Sequence, residues 1–164
     1  MDYKKHLEST GHFEALGKVS ANFSLLEHSL RALLWGFFGK DTVLTDVVAS
    51  QLSFQRLLAC VTGIANHKLE QGEQLDTLLN LLKEAGDLEA ERNKIVHSIW
   101  APREKGPGSE PYAIRWKPVS LRKGRLNPQV ETVDSKELES LADKIYSCSH
   151  SILVEKSRIT GENT

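Results

Sequence analysis

The sequence predicts an all-α protein, an antiparallel four-helix bundle with a long insertion between its third and fourth helices. Apolar residues recur at spacings of three and four over four long segments, as in helices that bury one face. The connections between the first three segments are short, which favours antiparallel packing of neighbouring helices. The 164 residues suffice for one hydrophobic core, so we expect a single domain over residues 1–164.

The first two predicted helices occupy the N-terminal part of the chain. Helical periodicity over residues 16–37 should end near Gly36 and Gly39, because glycine often ends helices. The second helix should open at Asp41 or Thr42, which are good N-cap residues, and continue without interruption to Ile64. It is rich in β-branched residues, but its length exceeds that of ordinary strands and favours a helix.

The third predicted helix begins within residues 70–73, and its apolar periodicity continues to Ile99. Gly86 interrupts it with a residue of low helix propensity, which indicates a close contact with another helix or a small bend. The fourth predicted helix opens at Asp134 or Ser135. These two helices complete the predicted bundle.

The insertion between the third and fourth helices spans about residues 101–133 and differs in composition from the rest of the chain. It holds all five prolines of the protein. Residues 112–116 and 119–121 alternate in character, which is typical of a short hairpin or an edge ribbon. We therefore expect a long basic loop or a short β-hairpin here, long enough to suggest a function.

Composition excludes several classes of protein. No apolar run approaches the length of a membrane span, and no segment behind the N-terminus resembles a signal peptide. Cys60 and Cys148 form no C-x-x-C pair and lie in apolar-periodic segments, as reduced core residues of a cytosolic protein do. We expect a cytoplasmic protein with no membrane partner, no metal site and no cofactor.

The formal net charge of −1 conceals a basic stretch over residues 92–125. This stretch holds nine lysines and arginines against two glutamates, a formal charge of +7. One interpretation is a solvated basic loop. The other is a surface that attracts phosphate groups. The second predicts substrate-binding contacts from four of its basic residues: Lys94, Arg103, Arg115 and Lys117.

The strongest functional signal is Arg92-Asn93-Lys94-Ile95-Val96-His97, near the end of the third predicted helix. Asn93 and His97 lie about 40° apart around a helix, and the long arginine side chain can reach them from about 140° away. Histidine titrates near neutral pH, and arginine is a permanent cation that binds phosphate with two hydrogen bonds. The amide of Asn93 can position a phosphate or orient His97. These residue types suit the cleavage of a phosphodiester.

Cleavage of RNA without a metal requires a base for the 2′-hydroxyl and an acid for the departing 5′-oxygen. One histidine cannot easily serve at both ends of the reaction. A two-fold homodimer that brings two copies of Arg92 and His97 together would supply both groups. The alternative is that His97 only complements the helix dipole and Arg92 is solvated. Two interpretations are open for Glu27. It forms a surface ion pair with Arg31 four positions later, or it crosses the bundle to hold Arg92 or His97.

The chain resembles the HEPN superfamily of small helical-bundle proteins from toxin–antitoxin and defence systems. The family signature is R-x4-6-H near the end of the third helix, often with Asn after the Arg, and here it reads Arg92-Asn93-x3-His97. The resemblance extends to Glu91 before the motif and to residues 98–100 after it. It implies a metal-independent endoribonuclease with Arg92 and His97 as catalytic residues and Asn93 in support.

The same resemblance implies a homodimer whose facing motifs form one composite cleft, an RNA substrate and a regulatory partner such as an antitoxin. Some members of the family have lost nuclease activity, so the alternative is a non-catalytic module that binds RNA or protein. A third hypothesis is a purely structural oligomer.

Overall fold

The computed structural model describes residues 11–39, 42–102, 113–116 and 130–161. In these ranges the chain forms five helices and one antiparallel sheet of three strands. The helices are α1 (His12–Phe38), α2 (Thr42–Ser50), α3 (Phe54–Lys68), α4 (Glu73–Val96) and α5 (Ser135–Thr160). The strands are β1 (Trp100–Pro102), β2 (Ala113–Trp116) and β3 (Val130–Val133). The protein is mostly helical, as predicted.

The predicted single second helix is wrong, because the chain breaks between α2 and α3. The amides of Gln51 and Leu52 each donate to a carbonyl three residues earlier, which tightens the end of α2 into a turn. Ser53 then adopts an extended conformation and stands at the N-cap of α3. The apolar pattern continues through the break, so periodicity alone did not indicate it.

The helices do not alternate in direction, so an antiparallel arrangement throughout is also wrong. The starts of α1 and α5 lie together, where His12 contacts Val133, and Gly36 lies beside Thr160 near their ends. α1 and α3 run parallel as well, because the short α2 returns the chain along α1 before α3 begins. α4 is antiparallel to both α3 and α5.

The core lies between these four long helices, and α4 packs closely on α3. A Cβ atom on Gly86 would lie 3.1 Å from a methyl carbon of Leu58, so of the two predicted roles of Gly86 the structure supports the close helix contact.

The two cysteines are free thiols, with Cys148 buried and Cys60 half-buried.

The sheet connects α4 to α5. β2 pairs with both β1 and β3, so that Arg115 stands between Trp100 and Glu131 in the register. The predicted strand at residues 112–116 is confirmed over Ala113–Trp116. The second predicted segment, 119–121, lies outside the described residues.

A capping box begins α5 at the end of β3. The side chain of Asp134 accepts a hydrogen bond from the amide of Lys136 at 3.3 Å, and Glu137 reaches back to the amide of Asp134 at 3.4 Å. We expect Asp134→Ala to lower the free energy of unfolding by about 1 kcal/mol, measured by urea denaturation. Ser140→Ala, at an exposed position of the same helix, is the control, and equal losses in both variants would contradict a specific role of the cap.

The two thiols should differ in reactivity. Burial raises the pKa of the Cys148 thiol to about 12, and the charge of Glu84 adds to the shift. Because the thiolate is the reactive form, we expect a thiol reagent at pH 8 to modify Cys60 in the native protein and Cys148 only after unfolding. Equal modification rates in the native protein would contradict this assignment.

Candidate functional site: an arginine, an asparagine and a histidine at the end of α4

The predicted motif lies at the carboxyl end of α4, as the sequence indicates. Arg92 and Asn93 belong to its last turns, and His97 is the residue at which the helix ends. The amide of His97 donates to the carbonyl of Asn93 at 3.2 Å, which keeps His97 one turn beyond Asn93. The helix ends before Ile99, earlier than predicted, because the chain turns here into β1.

Two aromatic side chains fix the exit of the chain from α4. The indole N–H of Trp100 donates to the carbonyl of Ile95 at 3.1 Å and so satisfies one of the last carbonyls of the helix. The Trp100 ring lies 6.1 Å from the ring of His12, centroid to centroid. His12 is buried, and its Nε2 donates to the carbonyl of Val133 at 3.0 Å. The motif therefore sits where α1, α4 and the sheet are pinned together.

The guanidinium of Arg92 is half-buried and pairs with no carboxylate in the described part of the chain. Its Nη1 donates to Oδ1 of Asn93 at 2.9 Å, and its Cζ lies 4.7 Å from the centroid of the Phe23 ring. Its Nε is buried and has no hydrogen-bond partner among the described residues. Arg92 is thus a fixed cation whose charge no acid of the described residues neutralises.

Asn93 holds the arginine. Two roles are predicted for it, positioning a phosphate or orienting His97, and in the structure its side-chain oxygen accepts a hydrogen bond from Arg92. An amide that accepts from Arg92 with its oxygen retains its two N–H groups as donors. Arg92 and Asn93 together therefore form one unit rich in hydrogen-bond donors.

The imidazole of His97 is exposed, and no hydrogen bond joins it to another side chain within the described ranges. A histidine that is not tied to a partner can take up or release a proton at a bound substrate. His97 thus differs from the buried His12, whose Nε2 donates a hydrogen bond to a backbone carbonyl.

The four predicted phosphate contacts are only partly placed. Lys94 is exposed and lines a cleft of about 320 Å³ together with Glu91 and Glu137, on the side of α4 that faces α5. Arg92 and His97 do not line that cleft. Arg115 belongs to β2 and is the register partner of Trp100, three residues beyond His97. Arg103 and Lys117 lie outside the described residues.

Glu27 does not reach the motif. Its carboxylate binds Arg31 at 2.5 Å on the next turn of α1, so the ion-pair interpretation is confirmed and the bundle-crossing alternative is wrong. Sequence reasoning missed Phe23, whose ring contacts Arg92 from α1. Its only sequence signal was an apolar position in a helical pattern.

No group of three metal-binding side chains occurs among the residues that the structure describes. No helix in the same ranges is long and apolar enough to span a membrane. Comparison of the chain with known protein families, curated proteins and solved structures found no match. The functional argument therefore depends on the motif and its geometry.

Proposed function

We propose that this chain is an HEPN-type, metal-independent endoribonuclease that acts as a homodimer. The observation that carries the proposal is that an exposed His97 and an Arg92 that no acid of the described residues neutralises lie five positions apart at the same helix end. At a helix end that served only stability, an arginine would more usually pair with an acid or face solvent. As part of this proposal, α1, α3, α4 and α5 are the four long helices of an HEPN-like bundle, and α2 is an addition.

In the proposed reaction His97 of one copy takes the proton of the 2′-hydroxyl as O2′ attacks phosphorus. The bond between phosphorus and O5′ breaks, and the imidazolium of His97 in the second copy gives its proton to O5′. The products are a 2′,3′-cyclic phosphate and a 5′-hydroxyl end. Arg92 donates to the phosphoryl oxygens, on which negative charge gathers in the transition state. Asn93 keeps the guanidinium in place and offers N–H groups to the same phosphate.

Apolar side chains beside the motif support the dimer. Val96 projects between Arg92 and Asn93 around α4 and is 39% exposed, and Ile99 just beyond the helix is 68% exposed. Exposed apolar side chains next to a polar site are favourable when a second protein surface covers them. A second copy would cover them while bringing its own Arg92 and His97 next to those of the first copy. Regulation by an antitoxin-like partner in the cytoplasm completes this proposal.

The test is cleavage of single-stranded RNA by the purified protein in the presence of a chelator. We expect cleavage with 2′,3′-cyclic phosphate ends, because the attacking group is the 2′-hydroxyl of the substrate. The matched control is the same oligonucleotide with 2′-deoxyribose throughout, which should remain intact. Cleavage of the deoxy control, or cleavage that requires a divalent metal, would contradict the mechanism.

A second candidate function is a non-catalytic interaction module, and α2 favours it. Four of its residues are apolar and more than half exposed: Val43, Leu44, Val47 and Val48. Two of them, Leu44 and Val48, line an apolar groove of about 190 Å³ together with Phe38 and Cys60. A protein that binds RNA or a partner but leaves RNA intact in the assay above would support this function instead.

A further inference from the structure

We propose that Phe23 is a positioning residue that holds the Arg92 guanidinium in place for the anion it engages. This inference rests on the proposed function for its consequence in RNA cleavage, but its structural part can be tested without any activity. Phe23 lies on α1, 69 positions before Arg92 in the sequence, and its ring brings α1 into contact with the motif arginine.

The geometry is that of a cation on an aromatic face. The Cζ of Arg92 lies 4.7 Å from the centroid of the Phe23 ring, within the distance at which a guanidinium is attracted to the ring quadrupole. Phe23 is only 7% exposed, so this contact lies largely away from water, where such attraction is strongest. A guanidinium on an aromatic surface loses freedom to rotate about its long side chain.

The ring of Phe23 is itself fixed. It packs against the ring of Phe54, the first residue of α3, with centroids 4.8 Å apart and planes tilted by 36°. Both rings belong to the buried core. Arg92 therefore rests on a support that the core holds rigid from two helices, and the break before α3 is what places Phe54 there.

The remaining contact of Arg92 restricts it further. Asn93 accepts from Nη1, while the ring of Phe23 contacts the guanidinium at Cζ, so that two independent contacts fix its position. No carboxylate competes for its donors in the described part of the chain. Such a preformed donor set suits a phosphate, because no reorganisation is needed when negative charge develops.

The first experiment is independent of activity and follows the Arg92 Nε–Hε signal by NMR. Arginine side chains are labelled with ¹⁵N, and Phe23→Leu is compared with Phe37→Leu. Phe37 is a similarly buried phenylalanine of the same helix, and no cation of the described residues contacts its ring. We expect the ring-current shift of Arg92 Hε to disappear in Phe23→Leu and to persist in Phe37→Leu. An unchanged Arg92 signal in Phe23→Leu would overturn the proposal.

The second experiment is a double-mutant cycle on RNA cleavage, measured under single-turnover conditions. Phe23→Leu should lower the rate by about 10- to 100-fold in the wild-type background, since small misplacements of a catalytic group have effects of this size. In the Arg92→Lys background, where the planar contact is already lost, it should have little further effect. Phe23→Tyr, which keeps the ring, should restore most of the rate. Equal losses in both backgrounds would reveal a purely structural role and overturn the proposal.

The two experiments separate this inference from the proposed function. If the wild-type protein leaves RNA intact, the proposed function fails, while the NMR comparison still decides whether the ring of Phe23 contacts Arg92 in solution. If RNA is cleaved and the cycle shows no coupling, the proposed function stands and the role of Phe23 is refuted.

Discussion

Replacing His97 with alanine is expected to lower the rate of RNA cleavage by at least about 100-fold while leaving the protein folded. A general acid or base contributes roughly 10²- to 10⁴-fold, and here each copy of His97 serves as one of the two. The imidazole is exposed and has no side-chain partner among the described residues, so its removal should change stability by only about 0.5 kcal/mol. Single-turnover cleavage and urea denaturation measure the two quantities.

The matched control for this prediction is His67→Ala. His67 is also exposed and also lies in the last turn of a helix, α3, where a histidine complements the helix dipole. The two variants should therefore lose similar, small amounts of stability, and only His97→Ala should lose cleavage. If His97→Ala cleaves RNA as well as His67→Ala does, His97 is a helix-terminal cation and no more.

The same variant tests whether two chains share one site. When wild-type protein is mixed with an equal amount of His97→Ala and the subunits exchange, about a quarter of the dimers carry two intact copies. If one site requires both histidines, the cleavage rate of the mixture should fall to about a quarter of the rate of wild-type protein at the same total protein concentration. Independent sites would retain about half, because each intact chain would still work.

Sequence patterns predicted the helices whose ends carry local signals. Asp134 begins α5 with a capping box, and Gly39 follows α1 with a positive φ of 80°. Of the two glycines predicted near the end of α1, Gly36 lies within the helix and Gly39 ends it. The break before Ser53 was not predicted, because apolar residues continue on both sides of it and α2 exposes many of its own. Helix direction was missed for the same reason, since it depends on this break.

The positions of the site residues along α4 were predictable from the sequence, but their side-chain contacts were not. The spacing of Arg92 and His97 on α4 follows from the helical repeat, and the predicted position at the helix end is correct. The partners of Arg92 could not be derived in this way. Asn93 could turn toward either neighbour, and Phe23 approaches from another helix through packing that no local pattern encodes.

Arg92→Lys is expected to lower the rate of RNA cleavage by about 100-fold although it keeps the positive charge. Loss of one preorganised donor at a developing oxyanion has effects of about 10²- to 10³-fold, and lysine replaces a planar fork by a point charge. An ammonium can still donate to Oδ1 of Asn93, but it lacks the planar group that contacts the ring of Phe23 and holds the remaining donors in a fixed fork. The loss should therefore appear in the single-turnover rate at saturating RNA more than in RNA affinity.

Arg31→Lys is the matched control, because Arg31 is also half-buried but is neutralised by Glu27 on the same helix. It should cleave RNA at the wild-type rate. A rate for Arg92→Lys within a few-fold of that of Arg31→Lys would mean that charge alone suffices at this position. The contacts of Arg92 with Asn93 and Phe23 would then serve stability, because a catalytic role for them requires that the orientation of the fork matters as well as its charge.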